Sequence, residues 1–93
     1  MQIRWTGQAS RDLDNIEVFI TQDSPASAAR TVVDIIAAVE QLRKFPALGR
    51  PGRLVGTREL VIVEKPYFVP YRVKNNSIEI IAVFHTSRQW PKG

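Results

Sequence analysis

Residues 58–85 read RELVIVEKPYFVPYRVKNNSIEIIAVFH. Three apolar runs rich in β-branched and aromatic residues, Arg58–Val63, Tyr67–Val73 and Ile78–Phe84, are separated by Glu64-Lys65-Pro66 and by Lys74-Asn75-Asn76-Ser77. The breaks have hairpin length, and asparagine tolerates the positive φ that tight hairpin turns demand. The stretch therefore predicts a three-stranded antiparallel meander. Pro70 has no N–H to give a ladder, so its run is expected to be an edge segment or to carry a bulge. Arg72 and Lys74, two residues apart, fall on one face of that strand, with Tyr71 and Val73 on the other.

Upstream, residues 46–56 hold Pro46, Gly49, Pro51, Gly52 and Gly56, which marks an ordered connecting loop carrying Arg50 and Arg53. Before it the period changes from two to three-and-four. Ala9, Leu13, Ile16 and Ile20 predict one amphipathic helix, about Gln8 to Gln22. Ala29, Val32, Val33, Ile36, Val39, Leu42 and Phe45 predict a second, about Pro25 to Lys44. Ser24-Pro25 opens it with a capping residue and a proline at the first helical position, and Pro46 stops it. Asp12, Asp14 and Glu17 are expected on the outer faces of the first helix, near its positive end. At the start, Ile3 and Trp5 alternate with Arg4 as a short strand, ended at Thr6-Gly7. The order is β-α-α-β-β-β. It predicts an α+β fold in which an N-terminal helical hairpin packs on one face of a small antiparallel sheet, as one domain over residues 1–93.

Composition narrows the chemistry. There are no cysteines, which removes disulfides, thiolate metal sites and thiol nucleophiles, and suits a reducing cytoplasm. With one histidine, His85, a multi-histidine metal site is excluded within one chain. No charged leader or long apolar run predicts export or a membrane span. No phosphate-binding glycine loop, catalytic carboxylate pair or Ser-His-Asp pattern is present, and no cofactor or metal is predicted. The net charge of +4 is uneven: through Gly49 there are five basic residues against six acidic ones, and from Arg50 onward eight against three. The positive field thus belongs to the second half and points to an anionic partner. Arg72, His85 and Arg88 are the residues that could do metal-free phosphoryl chemistry, the arginines neutralising phosphate charge and the histidine moving a proton. The same patch, interleaved with Tyr67, Phe68, Tyr71 and Trp90, could equally bind without reacting.

The run RELV (Arg58 to Val61), then PYFVPYRV (Pro66 to Val73), IEIIAVFH (Ile78 to His85), and Arg88 with Trp90-Pro91, resembles the C-terminal sheet of the RelE/ParE toxins. The helical hairpin and FPALGRPG (Phe45 to Gly52) are similar to the family's as well. The resemblance implies the toxin of a type II toxin-antitoxin module that inhibits bacterial growth. It also implies an antitoxin that neutralises the toxin in a hetero-oligomeric complex, docking on the hairpin at Leu13, Ile16, Ile20, Val33 and Ile36 and sometimes adding a strand to the sheet. Two targets stay open. RelE-like members cut messenger RNA on the ribosome, which would make Arg72, His85 and Arg88 catalytic; ParE-like members inhibit DNA gyrase. Phe68 stands where the nucleases commonly have an arginine, so Arg72 or Lys65 would have to compensate. The expectation is therefore ParE-like, with Arg50, Arg53, Arg72, His85, Arg88 and Trp90 binding the target.

Overall fold

The structure is a computed structural model that describes residues 1–88 and 90–91. Gln89 of the tail and Lys92, one of the second-half cations, lie outside the described residues. Strand β1 (Gln2–Trp5) is followed by helices α1 (Gly7–Thr21) and α2 (Pro25–Glu40), the latter tightening into one 3-10 turn at Gln41–Arg43. Then come β2 (Arg50–Pro51), β3 (Arg58–Val61), β4 (Tyr67–Lys74), β5 (Ser77–Ile80) and β6 (Phe84–His85).

Local signals explain the helix starts. Thr6 caps α1 by accepting the Ala9 N–H at 3.1 Å, and donates its own hydroxyl to the Ile81 carbonyl at 3.1 Å, so one side chain joins helix to sheet. Ser24 accepts the Ser27 N–H at 3.2 Å with Pro25 as first helical residue. Asn75 and Asn76 take positive φ, 51° and 61°, in the β4–β5 turn.

The sheet order is β1-β5-β4-β3-β2, with β6 returning to β4. Two features differ from the expected small antiparallel sheet. It is mixed, because β1 lies parallel to β5 (Ile3↔Ile78, Trp5↔Ile80). The loop also contributes a strand, β2, paired through Arg50↔Glu59 and Pro51↔Arg58.

Pro70 sits in β4, in the middle of the sheet and fully buried, so the edge expectation fails. The expected bulge is present, on the partner strand. Tyr71 pairs Ile80 in β5 and Phe68 pairs Phe84 in β6, so the segment 81–83 holds one residue more than the stretch of β4 it faces. Pro70 lies against that irregular segment. Its carbonyl accepts the Ile81 N–H at 2.9 Å, and its missing donor falls where β4 changes partner. The bulge is held from the helical layer: the Asp12 carboxylate on α1 accepts the Val83 N–H at 3.0 Å. Asp12 is thus turned inward, contrary to its expected outer position.

The core lies between the helices and one sheet face, joining Ala9, Ile35, Val39 and Leu42 to Leu60, Tyr67, Val69, Tyr71, Ile78 and Ile80. On α2 the buried stripe is Ala28, Thr31, Ile35 and Val39. Val33 and Ile36 of the predicted stripe face outward, because α2 is apolar on more than the side the core consumes. The opposite sheet face, called the open face below, carries Phe68, Pro70, Arg72 and Lys74 of β4 with Glu59, Glu79 and Arg4 at their register partners.

Asp12→Ala is expected to destabilise the fold by about 1–3 kcal/mol, the cost of stranding a part-buried amide, in urea unfolding. Asp12→Asn, which keeps an acceptor, should recover most of the loss.

Candidate functional site

The loop that bears Arg50 and Arg53 is fixed from both faces of the sheet. From the core side, the fully buried Tyr71 donates its hydroxyl to the Pro46 carbonyl at 2.7 Å and accepts the Gly49 N–H at 2.9 Å. Only glycine fits at 49, since a Cβ there would stand 2.7 Å from the Tyr71 ring and 3.0 Å from the Glu59 backbone. Arg58 adds a bond to the Gly49 carbonyl at 2.8 Å. From the open face, Glu59 accepts the Arg53 backbone N–H at 3.0 Å, with the Arg50 guanidinium at 3.2 Å and that of Arg53 at 3.4 Å. Glu59 is 1% exposed, while both arginine side chains remain about half exposed (55% and 42%). A buried carboxylate therefore orients two solvent-facing cations.

Arg53 reaches from the loop to the tail. Its guanidinium lies 5.0 Å over the Phe68 ring and donates to the Trp90 carbonyl at 3.0 Å. Trp90 packs on Phe84 at 5.1 Å, which in turn packs on Phe68 at 5.8 Å. The result is a second, smaller apolar cluster on the open face, clasped by an arginine. The Trp90 indole N–H is buried with no hydrogen-bond partner among the described residues.

The bulge decides where the remaining candidates go. Side chains alternate faces along a strand, so one inserted residue reverses the assignment beyond it. Phe84 therefore shares the open face with Phe68, and His85 is paired with Tyr67 on the helical side. His85 stacks edge-on with Tyr67 at 5.5 Å, and its Nδ1 accepts the Ser87 N–H at 3.1 Å. With Asp12, Ile16, Phe19, Tyr67 and Arg88 it lines a cavity of about 350 Å³ against α1. Arg72 lies on the open face, bound to Glu79 at 2.7 Å. The structure thus brings together Arg50, Arg53 and Trp90 through Glu59 and Phe68, and His85 with Arg88. It separates Arg72 from His85 by the thickness of the sheet.

On the hairpin, Leu13, Ile16 and Ile20 pack inward against the core, while Val33 and Ile36 on α2 are exposed, as are Val18 and Phe19 on α1 at 62% and 67%. Sequence reasoning missed Val18 and Phe19, although both are large apolar residues lying off the stripe that serves the core. It also missed Glu59, whose signal was an acid inside an apolar strand run next to an arginine-bearing loop. For Tyr71 as loop anchor there was no local signal.

The chain as a whole is similar to known proteins. The family model described as the ParE toxin of the type II toxin-antitoxin system parDE matches residues 3–90. The chain belongs to that family. A Sinorhizobium fredii relative named Y4kP is 48% identical over 91 residues, covering 98% of this chain and 94% of the relative. Toxin RelE2 of Caulobacter vibrioides is 34% identical over 87 residues, 94% of this chain and 97% of that protein. Among solved structures, the chromosomal ParDE system from P. aeruginosa superposes with a TM-score of 0.82 at 32% identity, over 91% of this chain and 95% of that one. The toxin-antitoxin complex RelBE2 from Mycobacterium tuberculosis gives 0.60 at 27%, over 90% and 95%. The protein is accordingly a toxin of a type II toxin-antitoxin system, with the family's fold.

In this ParE-family chain, burial pushes the Tyr71 hydroxyl above the ordinary tyrosine range, and the Gly49 N–H and Arg58 only partly offset that. Its folded pKa being raised, the stability it contributes is intact below about pH 10 and is lost as pH rises through the folded pKa. Tyr71→Phe should lower stability at neutral pH by about 1–3 kcal/mol and shrink the loss above pH ~10, both read by thermal unfolding across pH.

Proposed function

We propose that this toxin inhibits bacterial growth by binding DNA gyrase in the cytoplasm, without catalysing a reaction, and that a cognate antitoxin neutralises it. The observation that carries this reading is the bulge at residues 81–83. Cleaving a phosphodiester with Arg72, His85 and Arg88 requires all three to reach one phosphate at hydrogen-bond distance. Arg72 and His85 are on opposite faces. Phe68, in the place of a nuclease arginine, is packed under Arg53, and both cations that could compensate are engaged, Arg72 with Glu79 and Lys65 with Asp34 at 3.6 Å. These facts favour gripping over cutting.

The gripping surface is Arg50, Arg53 and Trp90 on the open face, with Arg72 beside them and Arg88 and His85 at the margin. Arginine and tryptophan held rigidly around a desolvated centre are the residue types that dominate binding energy at interfaces. The antitoxin has separate ground. Val18, Phe19, Val33 and Ile36 suit an amphipathic helix. A groove of about 550 Å³ between α2 and β3, floored by Ala37, Ala38 and Leu60, runs beside Val61 and Val63. There β2 has ended and the edge of the sheet is open to an added strand. The P. aeruginosa and M. tuberculosis structures are of toxin-antitoxin systems, which supports a hetero-oligomeric complex of this kind.

The purified toxin should inhibit gyrase supercoiling of a relaxed plasmid, with R50A/R53A and W90A each weakening inhibition by about tenfold or more, the loss expected on truncating central interface residues. H85A should inhibit nearly as wild type. Ribosome-dependent cutting of messenger RNA, abolished by H85A and accompanied by normal supercoiling, would overturn the reading. Phe19→Asp should leave supercoiling inhibition in place while weakening rescue by the antitoxin.

A further inference from the structure

Beyond the loop and tail, the open face has a second concentration of positive charge at its other side. Across β1, β5 and β4 the register sets Arg4, Glu79 and Arg72 in one row. The next row is Gln2, Ser77 and Lys74. Arg4, Lys74, Asn75, Ser77 and Glu79 line a polar concavity of about 170 Å³ at the β4–β5 turn. The one carboxylate in it is already neutralised, since Glu79 binds the Arg72 Nε at 2.7 Å. Among the described residues, neither Arg4 nor Lys74 makes an ion pair. Two uncommitted cations therefore flank a pocket whose other donors, the Ser77 hydroxyl and the Asn75 amide, are neutral.

We infer that this concavity is a phosphate-group site for the backbone of duplex DNA. Phosphate is indicated because the donors are convergent, charged and neutral together, on a concave polar surface. A backbone is indicated because the charge continues. Arg4 on β1 and Arg50 on β2 stand on the two outer strands, four inter-strand spacings or ~19 Å apart, with Arg72 between them, so cations recur across the sheet. Among the described residues, the strands and arginine loop place Arg4, Arg50, Arg53, Arg72 and Lys74 on this face with Glu59 and Glu79, each carboxylate held by arginine. Duplex rather than single strand is indicated by the aromatics. Phe68, Phe84 and Trp90 are packed on one another at the far side, and no aromatic lines the concavity, so there is no platform on which an unpaired base could stack. Binding here is by phosphate contacts, hence independent of sequence and steeply dependent on salt. It does not rest on gyrase as the target.

The test is a fluorescence-anisotropy titration of the full chain with a labelled duplex of about 20 base pairs, from about 50 to 200 mM potassium chloride, where each lost phosphate contact removes about 0.9 from the slope of log K against log salt. R4A/K74A should lower that slope by roughly 2 and weaken binding at about 100 mM salt by tenfold or more. R11A/R30A, which removes the same charge from exposed positions on the helices, should leave the slope unchanged, and thermal melts should show both variants folded. Absence of binding by the wild type at low salt, equal slope changes in the two double variants, or tighter binding of a single-stranded RNA of the same length through Arg4 and Lys74 would each overturn the inference. No gyrase is present in the titration, so its failure leaves the supercoiling result standing.

Discussion

A proline in the middle of a sheet is the constraint around which this molecule is arranged. Pro70 has no N–H for β4 to offer, and the sheet accommodates it by changing the partner strand at that point, with β5 ending at Ile80 and β6 beginning at Phe84. The change costs one extra residue, and that residue inverts every side chain beyond it. Phe84 is delivered to the open face, where it packs on Trp90. His85 is delivered to the helical side, where it meets Tyr67 and the cavity under α1. The separation of Phe84 and Arg72 on the open face from His85 on the helical side follows from the irregularity at that one missing donor.

The second organising interaction is the pair of anchors on the arginine loop. Tyr71 and Glu59 reach the loop from opposite faces of adjacent strands, and between them satisfy two backbone N–H groups, one carbonyl and two guanidinium groups. Burying a carboxylate is tolerable only when its charge and lone pairs are met, and here the loop itself meets them. The loop is consequently tied to the sheet at Pro46, Gly49, Arg50 and Arg53, although it is rich in glycine and proline.

Much of the fold was legible because its signals are local. The three-and-four spacing of Leu13, Ile16 and Ile20, the Ser24-Pro25 start of α2 and the Asn75-Asn76 turn depend only on near neighbours. The parallel pairing of β1 with β5 was not legible, since nothing within Gln2–Trp5 distinguishes a parallel from an antiparallel partner. Nor was the outward turn of Val33 and Ile36, because a helix apolar on two sides does not announce which side the core will take. Of the candidate site, Arg50, Arg53, Arg72 and Trp90 were singled out by charge and residue type. Their relation to His85 was not, because the face a residue occupies depends on counting through a bulge that sequence spacing alone does not locate. Glu59 and Asp12 illustrate the remaining gap: each is an acid whose role is set by a group that only the folded chain brings to it, the Arg53 amide six residues back for one and the Val83 amide 71 residues on for the other.

The parallel pairing of Gln2 with Ser77 has a consequence in time. Strand β1 must wait for a partner encoded about four-fifths of this chain's length later. At ordinary synthesis rates of ~5–20 residues per second, that wait is on the order of 4–15 s. Helices α1 and α2 can form meanwhile from local contacts, but the sheet cannot close until the final third of the chain has emerged. Until β5 emerges, the nascent chain of this toxin is therefore a helical hairpin with β1 unpaired, and its open face is completed only when β5 joins β1 to β4.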